Sequence, residues 1–141
     1  MKEFFDTSVL VAAFWNGHVH HPSSIKRFAA ARREHSACGL HSVAEVYAVM
    51  TALPVRPLIP PEQVLLFLED IRERLALISL SADESIAAIQ HCAVRGFLSG
   101  RVYDALLLTC AARWKAETIY TWNLRHYQSL APELADKIQN P

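Results

Sequence analysis

The sequence has no excess of charge of either sign. Fourteen Lys and Arg residues balance fourteen Asp and Glu residues, so the formal net charge of the 141-residue chain is +0. A chain without a global basic field can bind nucleic acid only through a local basic patch. The overall charge therefore indicates no particular class of partner.

Cysteine is also scarce. The chain has three cysteines, Cys38, Cys92 and Cys110, which lie far apart and form no C-x-x-C pair. An odd number of cysteines at such separations argues against both a disulfide framework and a structural zinc site. A reducing compartment fits this pattern, and we expect the protein to be cytoplasmic.

The sequence lacks an apolar run long enough to span a membrane. Asp6 interrupts the apolar N-terminal stretch, which has neither a basic leader of the usual length nor a small-residue cleavage site. We therefore expect this stretch to be neither a signal peptide nor a membrane span. No repeat, linker or low-complexity tract divides the chain. Since 52% of the residues are hydrophobic, the sequence predicts one domain, residues 1–141, with a substantial core.

Short apolar segments alternate with helical patterns along the chain. We predict strands at 3–6, 36–38, 75–80 and 118–121. We predict helices from Thr7, from Pro22 through about Glu34, over 41–51 with Ser42 as N-cap, over 60–75, from Ser81 to about Gly96, and over 105–114. The tail from Asn123 is predicted to be irregular or short-helical. Parallel strands need crossover helices, so the pattern predicts an α/β sandwich with a mostly parallel central sheet flanked by helices.

Three acidic residues stand alone beside apolar stretches. They are Asp6 in "FFDTSVLV", Glu45 in "SVAEVYAVM" and Asp104 in "RVYDALLLTCAA". Burying a carboxylate costs free energy unless a partner meets it, and three converging carboxylates would repel one another. Mg²⁺ or Mn²⁺ would resolve the conflict because both prefer oxygen ligands. Such ions can activate water and stabilise charge on a phosphate, which suggests phosphodiester hydrolysis.

A simpler interpretation uses helix capping. Asp6 and Asp104 each precede a predicted helix and could accept backbone N–H bonds there, while Glu45 could occupy one solvated stripe of its helix. The residues alone leave the metal site and the capping interpretation equally open.

Four segments of the chain resemble the PIN-domain family, particularly its VapC-type toxin branch. They are "FFDTSVLVAAF", "HSVAEVYAVMT", "GRVYDALLLTCAARW" and "TIYTWNLRHY", and their order and separations match the family over nearly the whole chain. No single motif is specific, but the four together make a strong signal. The resemblance implies a PIN-like α/β sandwich and a metal-dependent endoribonuclease that uses Mg²⁺ or Mn²⁺.

The resemblance also implies which residues act and what they meet. Asp6, Glu45 and Asp104 would be the metal ligands and catalytic acids. Asn123 in "TWN" stands where many members have Asp, and it would orient water or a more weakly held second ion. The implied partners are an RNA substrate, a cognate antitoxin whose segment fills the groove, and a second copy of the chain in a homodimer.

Two other functions remain open at this point. Asn123 and the neutral charge also fit a catalytically weak PIN-like module that binds RNA or protein. A different Mg²⁺-dependent phosphohydrolase acting on small phosphate esters is the third interpretation. Ser8 and Thr121 could supply hydroxyls to the acidic edge, although hydroxyl residues at strand ends and helix starts also act as caps.

Overall fold

The computed structural model describes residues 1–141, in which five short strands alternate with seven α-helices. The strands are β1 (Glu3–Phe5), β2 (Ser36–Gly39), β3 (Ala76–Ile78), β4 (Thr118–Tyr120) and β5 (Ile138–Gln139). The helices are α1 (Thr7–Phe14), α2 (His21–Ala29), α3 (Leu40–Thr51), α4 (Pro61–Arg74), α5 (Ala82–Arg95), α6 (Arg101–Trp114) and α7 (Leu124–Leu130). A 3₁₀ segment, Pro132–Lys137, precedes β5.

The five strands form one sheet in the order β3-β2-β1-β4-β5, and every pairing in it is parallel. At the central strand, Phe5 lies beside Cys38 on one side and beside Tyr120 on the other. The α/β sandwich with a mostly parallel sheet is therefore confirmed. Because all strands run the same way, their carboxyl ends share one edge of the sheet, where ligand sites of such folds gather.

The sheet separates two apolar layers. Successive side chains of a strand point to opposite faces, so the adjacent Phe4 and Phe5 enter different layers. Phe5 packs with residues of α1 to α4, including Met50 and Ile71, whereas Phe4 packs with residues of α6 and α7, including Leu107. Helices therefore cover both faces of the sheet, as a parallel sheet requires.

All three cysteines are free and buried, in agreement with the absence of a disulfide framework. Burial raises the pKa of the Cys38 thiol to about 12 and that of Cys110 to about 11, so both thiols stay protonated near neutral pH. None of the helices combines the length and the apolarity that crossing a bilayer requires.

Helix α2 is shorter than predicted. It ends at Ala29 rather than near Glu34. The carbonyl of Arg32 accepts the N–H groups of His35 and Ser36, at 2.9 and 2.8 Å, and this turn redirects the chain into β2. The sequence did not indicate this turn, because outward-facing charged residues are equally common in a solvated helix and in a solvated turn.

The predicted start of α3 was also wrong. The helix begins at Leu40 with Gly39 at its N-cap, and Ser42 lies inside it, fully buried, with its hydroxyl 2.8 Å from that of Thr7. Helix α6 likewise begins earlier than predicted, at Arg101, so Asp104 lies within its first turn.

Two further expectations need correction. The apolar spacing over 60–75 predicts that Val64, Leu65 and Ile71 share one buried side of the helix. Val64 and Ile71 are buried, but Leu65 is 53% exposed. The tail, predicted as irregular or short-helical, forms α7 and also the two-residue strand β5. A strand of two residues carries too little pattern to be recognised from the sequence.

Gly39 marks a close approach between the sheet and α6. A Cβ atom at this position would lie 2.5 Å from Cδ2 of Leu107, a side chain that is itself fully buried. The backbone there is extended, with φ −76°, so the restriction is one of space and not of conformation.

We expect Gly39→Ala to lower the free energy of unfolding by about 1–3 kcal/mol, because its methyl group must displace a packed leucine. Urea unfolding followed by circular dichroism measures the change. Gly100→Ala is the matched control, since no atom lies within 4 Å of a Cβ built there. Equal stabilities for the two variants would contradict the close approach.

Candidate active site

Asp6 lies at the carboxyl end of the central strand. Its N–H donates to the Tyr120 carbonyl at 3.0 Å, and its own carbonyl accepts the N–H groups of Val9 and Leu10 as α1 begins. Asp6 occupies the N-cap position of α1, but its side chain makes no capping hydrogen bond. Helix capping therefore does not explain this carboxylate.

The side chain of Asp6 instead receives three hydroxyl groups. Ser8 and Thr121 donate to Oδ2 at 2.6 and 2.8 Å, and the Tyr127 hydroxyl donates to Oδ1. The residue is only 2% exposed, and neither of the two ion pairs in the structure involves it. Hydroxyl donors satisfy the oxygen lone pairs without cancelling the charge, so Asp6 carries a buried negative charge that no cationic side chain balances.

Glu45 reaches the same edge from α3. Its Oε1 accepts the Thr7 hydroxyl at 3.2 Å and lies 3.5 Å from His41 Nε2. Burial raises the pKa of Glu45, the charge of Asp6 raises it further, and the hydrogen bond from Thr7 lowers it in part. Since Thr7 follows Asp6 directly, the two carboxylates are joined through one residue of α1.

Asp104 approaches from the first turn of α6. Burial raises the pKa of Asp104 to about 6, with further increases from the charges of Asp6 and Glu45, while His126 and Arg101 act in the opposite direction. The structure thus brings the three predicted acids into one electrostatic cluster. Like charges placed this close favour protonation or a bound cation.

The cluster matches a hard divalent cation in donor chemistry. All of its donors are carboxylate oxygens, and neither Asp6 nor Asp104 is paired with Lys or Arg. No three His, Cys, Asp or Glu side chains, however, stand in positions that already form a set of metal ligands.

Asn123 is the most exposed of the predicted site residues. It precedes α7, its side chain caps no backbone N–H, and its own N–H donates to the Thr121 hydroxyl at 3.0 Å. Thr121 in turn donates to Asp6, and Ser8 accepts the Trp122 N–H at 3.0 Å. The backbone after β4 is therefore tied to the acidic edge, while the amide side chain faces solvent.

Tyr127 is the site residue that the sequence reasoning missed. It is fully buried on α7, and burial, together with the charges of Asp6 and Asp104, raises its pKa well above the usual value, so the hydroxyl keeps its proton. A buried tyrosine needs a hydrogen-bond partner, and this was the available signal. The tail was predicted as irregular or short-helical with no buried face, which gave no reason to expect Tyr127 inside.

His20 and His21, at the start of α2, contact neighbouring protein groups. His20 stacks on Trp122 with 3.7 Å between ring centroids, and His21 Nδ1 lies 2.8 Å from the Ala12 carbonyl oxygen. Trp122 is held further by its indole N–H, which donates to Ser24 at 2.8 Å. These contacts show packing roles for the three rings.

Comparison with known sequences gives consistent matches. The PIN domain family matches residues 4–128. Ribonuclease VapC27 of Mycobacterium tuberculosis is 33% identical over 114 residues, which cover 79% of this chain and 78% of that protein. Ribonuclease VapC40 of the same species is 35% identical over 102 residues, or 72% of each chain.

Two solved structures share the fold. VapC20 of Mycobacterium tuberculosis, described as a toxin that cleaves the sarcin–ricin loop, superposes with a TM-score of 0.73 at 15% identity and covers 91% of this chain and 95% of its own. VapBC2 of Rickettsia felis, solved with a promoter DNA fragment, gives a TM-score of 0.66 at 18% identity over 99% and 98% of the two chains. The family match and the curated relatives show that this chain belongs to the PIN-domain family, among its VapC ribonucleases.

Proposed function

We propose that the protein is a divalent-metal-dependent endoribonuclease that hydrolyses RNA phosphodiester bonds and serves as the toxin of a VapBC-type toxin–antitoxin pair. The observation that carries the proposal is the electrostatic cluster of Asp6, Glu45 and Asp104 at the carboxyl edge of the sheet, in which no Lys or Arg pairs with any of the three. The curated relatives, which are named ribonucleases, support the choice of RNA.

In this proposal, Asp6, Glu45 and Asp104 hold Mg²⁺ or Mn²⁺. The bound ion supplies Lewis-acid activation of water and charge neutralisation at the phosphate. The exposed Asn123 amide orients water but adds no charge, so a second ion would be held more weakly than in a site with four acids. Ser8 and Thr121 keep the Asp6 carboxylate in one orientation.

The proposed partners are RNA, a cognate antitoxin and a second copy of the chain, all in the cytoplasm. The similar structure from Rickettsia felis is named VapBC2, a name that joins VapB to VapC. This supports an antitoxin as one partner of this chain. Leu65 and Leu66 on α4 are 53% and 57% exposed and offer an apolar surface that either protein partner could cover.

We expect Asp6→Asn, Glu45→Gln and Asp104→Asn each to lower Mn²⁺-dependent RNA cleavage at least about 100-fold, because each removes one charge from the proposed metal ligands. Cleavage of a fluorescent RNA measures this. Glu69→Gln and Asp70→Asn, exposed acids on α4, are matched controls that should cleave at the wild-type rate.

Persistent cleavage in all three variants would refute the assignment of the acids. Tight RNA binding by a wild-type protein that cleaves no RNA would instead favour the binding module. Preferential turnover of a simple phosphomonoester would favour a phosphohydrolase of small substrates.

The raised pKa of Asp104 predicts a pH dependence of stability in the metal-free protein. Because the folded pKa of about 6 exceeds the unfolded value of 3.8, the folded state binds the proton more tightly. Protonated Asp104 therefore contributes to the free energy of unfolding. That contribution is fully present below the unfolded pKa and is lost as pH rises through about 6. After allowance for partial exposure of the group, we expect a loss of about 1 kcal/mol.

Urea unfolding in EDTA measures this loss. The unfolding is repeated at several pH values, from the unfolded pKa of 3.8 up to neutral pH. Asp104→Asn should flatten the profile relative to wild type, and Mg²⁺ should restore wild-type stability at neutral pH by binding the ionised acids. Parallel profiles for wild type and Asp104→Asn would show that Asp104 does not titrate in this range.

Asn123→Asp tests the fourth position. A carboxylate there adds a charged oxygen ligand, so we expect Mn²⁺ affinity to rise at least about threefold in calorimetric titrations. Asn140→Asp places the same charge in the same surface cleft, which Asn123 and Asn140 both line, without adding it at the end of β4. An equal gain in both variants would mean that Asn123 acts only through general electrostatics.

A further inference from the structure

The Tyr127 hydroxyl lies in a rigid setting. The Tyr127 N–H donates to the Asn123 carbonyl at 3.1 Å, and its carbonyl accepts the Ala131 N–H at 3.0 Å. Its ring is fully buried in the apolar layer that contains Phe4 and Leu107. Backbone and packing therefore fix the direction from which the hydroxyl meets Asp6.

The hydrogen bonds of Asp6 can be counted against its capacity. An ionised carboxylate offers about four lone-pair positions, two on each oxygen. Ser8 and Thr121 occupy both positions on Oδ2, and Tyr127 occupies one position on Oδ1. One acceptor position remains, and it is on the oxygen that Tyr127 holds.

From this count we propose that Tyr127 is a positioning residue for Asp6, whose hydroxyl fixes Oδ1 so that the carboxylate presents a single lone pair, and hence a single bond, to a divalent cation. This inference rests on the proposed function, since it assumes that the acids hold a metal. It goes further by assigning a role to a residue of α7 that does not touch the metal or the RNA.

Tyr127 differs from the other two hydroxyl donors in the oxygen that it serves. Ser8 and Thr121 both donate to Oδ2, so losing either one leaves a donor on that oxygen and leaves the hydrogen bond to Oδ1 in place. Losing the Tyr127 hydroxyl frees the oxygen that is left for the cation. Its removal should therefore act directly on metal binding.

Tyr127→Phe removes this hydroxyl and keeps the ring that fills the core. Loss of a hydrogen-bond partner of a metal ligand typically lowers metal affinity 10- to 100-fold, and we expect about 10-fold weaker Mn²⁺ binding in calorimetric titrations. Tyr120→Phe is the matched control. Tyr120 is also a buried tyrosine, 5% exposed, but its ring belongs to the opposite apolar layer, below the Arg27 guanidinium. We expect the Mn²⁺ affinity of Tyr120→Phe to lie within about twofold of that of wild type.

RNA cleavage provides a second readout. If Tyr127 acts through the metal, saturating Mn²⁺ should return the cleavage rate of Tyr127→Phe toward that of wild type, with the KM for RNA unchanged. A purely structural role predicts a loss that excess Mn²⁺ does not recover, together with a lower unfolding temperature in EDTA than Tyr120→Phe shows.

A measurement on the unaltered protein covers the case in which Tyr127→Phe does not fold. Proton NMR of the Mg²⁺-loaded protein should show the Tyr127 hydroxyl proton protected from solvent exchange, because the bond to Asp6 persists when the ion is bound. Loss of that protection on adding Mg²⁺ would overturn the inference.

The outcomes separate the two proposals. If wild type does not bind Mn²⁺, or if Asp104→Asn binds it as tightly as wild type, the proposed function fails. If wild type binds Mn²⁺ and Asp104→Asn does not, but Tyr127→Phe binds within about twofold of wild type, only the role of Tyr127 fails.

Discussion

The structure depends on one buried carboxylate at the end of its central strand. Asp6 connects β1 to α1 through its backbone, and its side chain gathers hydroxyls from α1, from the end of β4 and from α7. A charge buried in this way is costly, and its hydrogen bonds reduce the cost without removing the charge. The neighbouring acids Glu45 and Asp104 add repulsion, so this part of the fold is not arranged for stability alone.

The pattern of neighbouring residues was enough to predict the features of the fold that depend on short stretches of sequence. The alternation of apolar strands with amphipathic helices gave the parallel sheet, and a lone acid after a strand gave the position of Asp6 at the sheet edge. The predicted helix start at Ser81 is confirmed as well, because Ser81 and Glu84 form a capping box whose two hydrogen bonds join residues three apart. Family resemblance, and not spacing, selected the metal site over helix capping.

The contacts that the sequence did not predict join distant residues. The Thr7 and Ser42 hydroxyls meet although 35 positions separate the two residues. Local sequence does not show this contact, so Ser42 was wrongly predicted as an N-cap. Tyr127 meets Asp6 across 121 residues, and no local pattern reports that a tyrosine will face a carboxylate. The exposure of Leu65 also depends on distant residues, because the packing of α4 against the rest of the fold determines which of its apolar side chains remain exposed.

The two junctions that lead from the sheet to Asp6 and to the helix of Glu45 have almost no connecting loop. One residue separates β1 from α1, and α3 follows β2 directly. The acids are therefore attached to the sheet by rigid geometry, and insertions at these junctions would displace them. The longer connections 15–20 and 52–60 lie outside these two junctions, so they can lengthen or change sequence without moving Asp6 or Glu45. Those two connections are therefore the places where the chain can change length while both acids keep their positions beside the central strand.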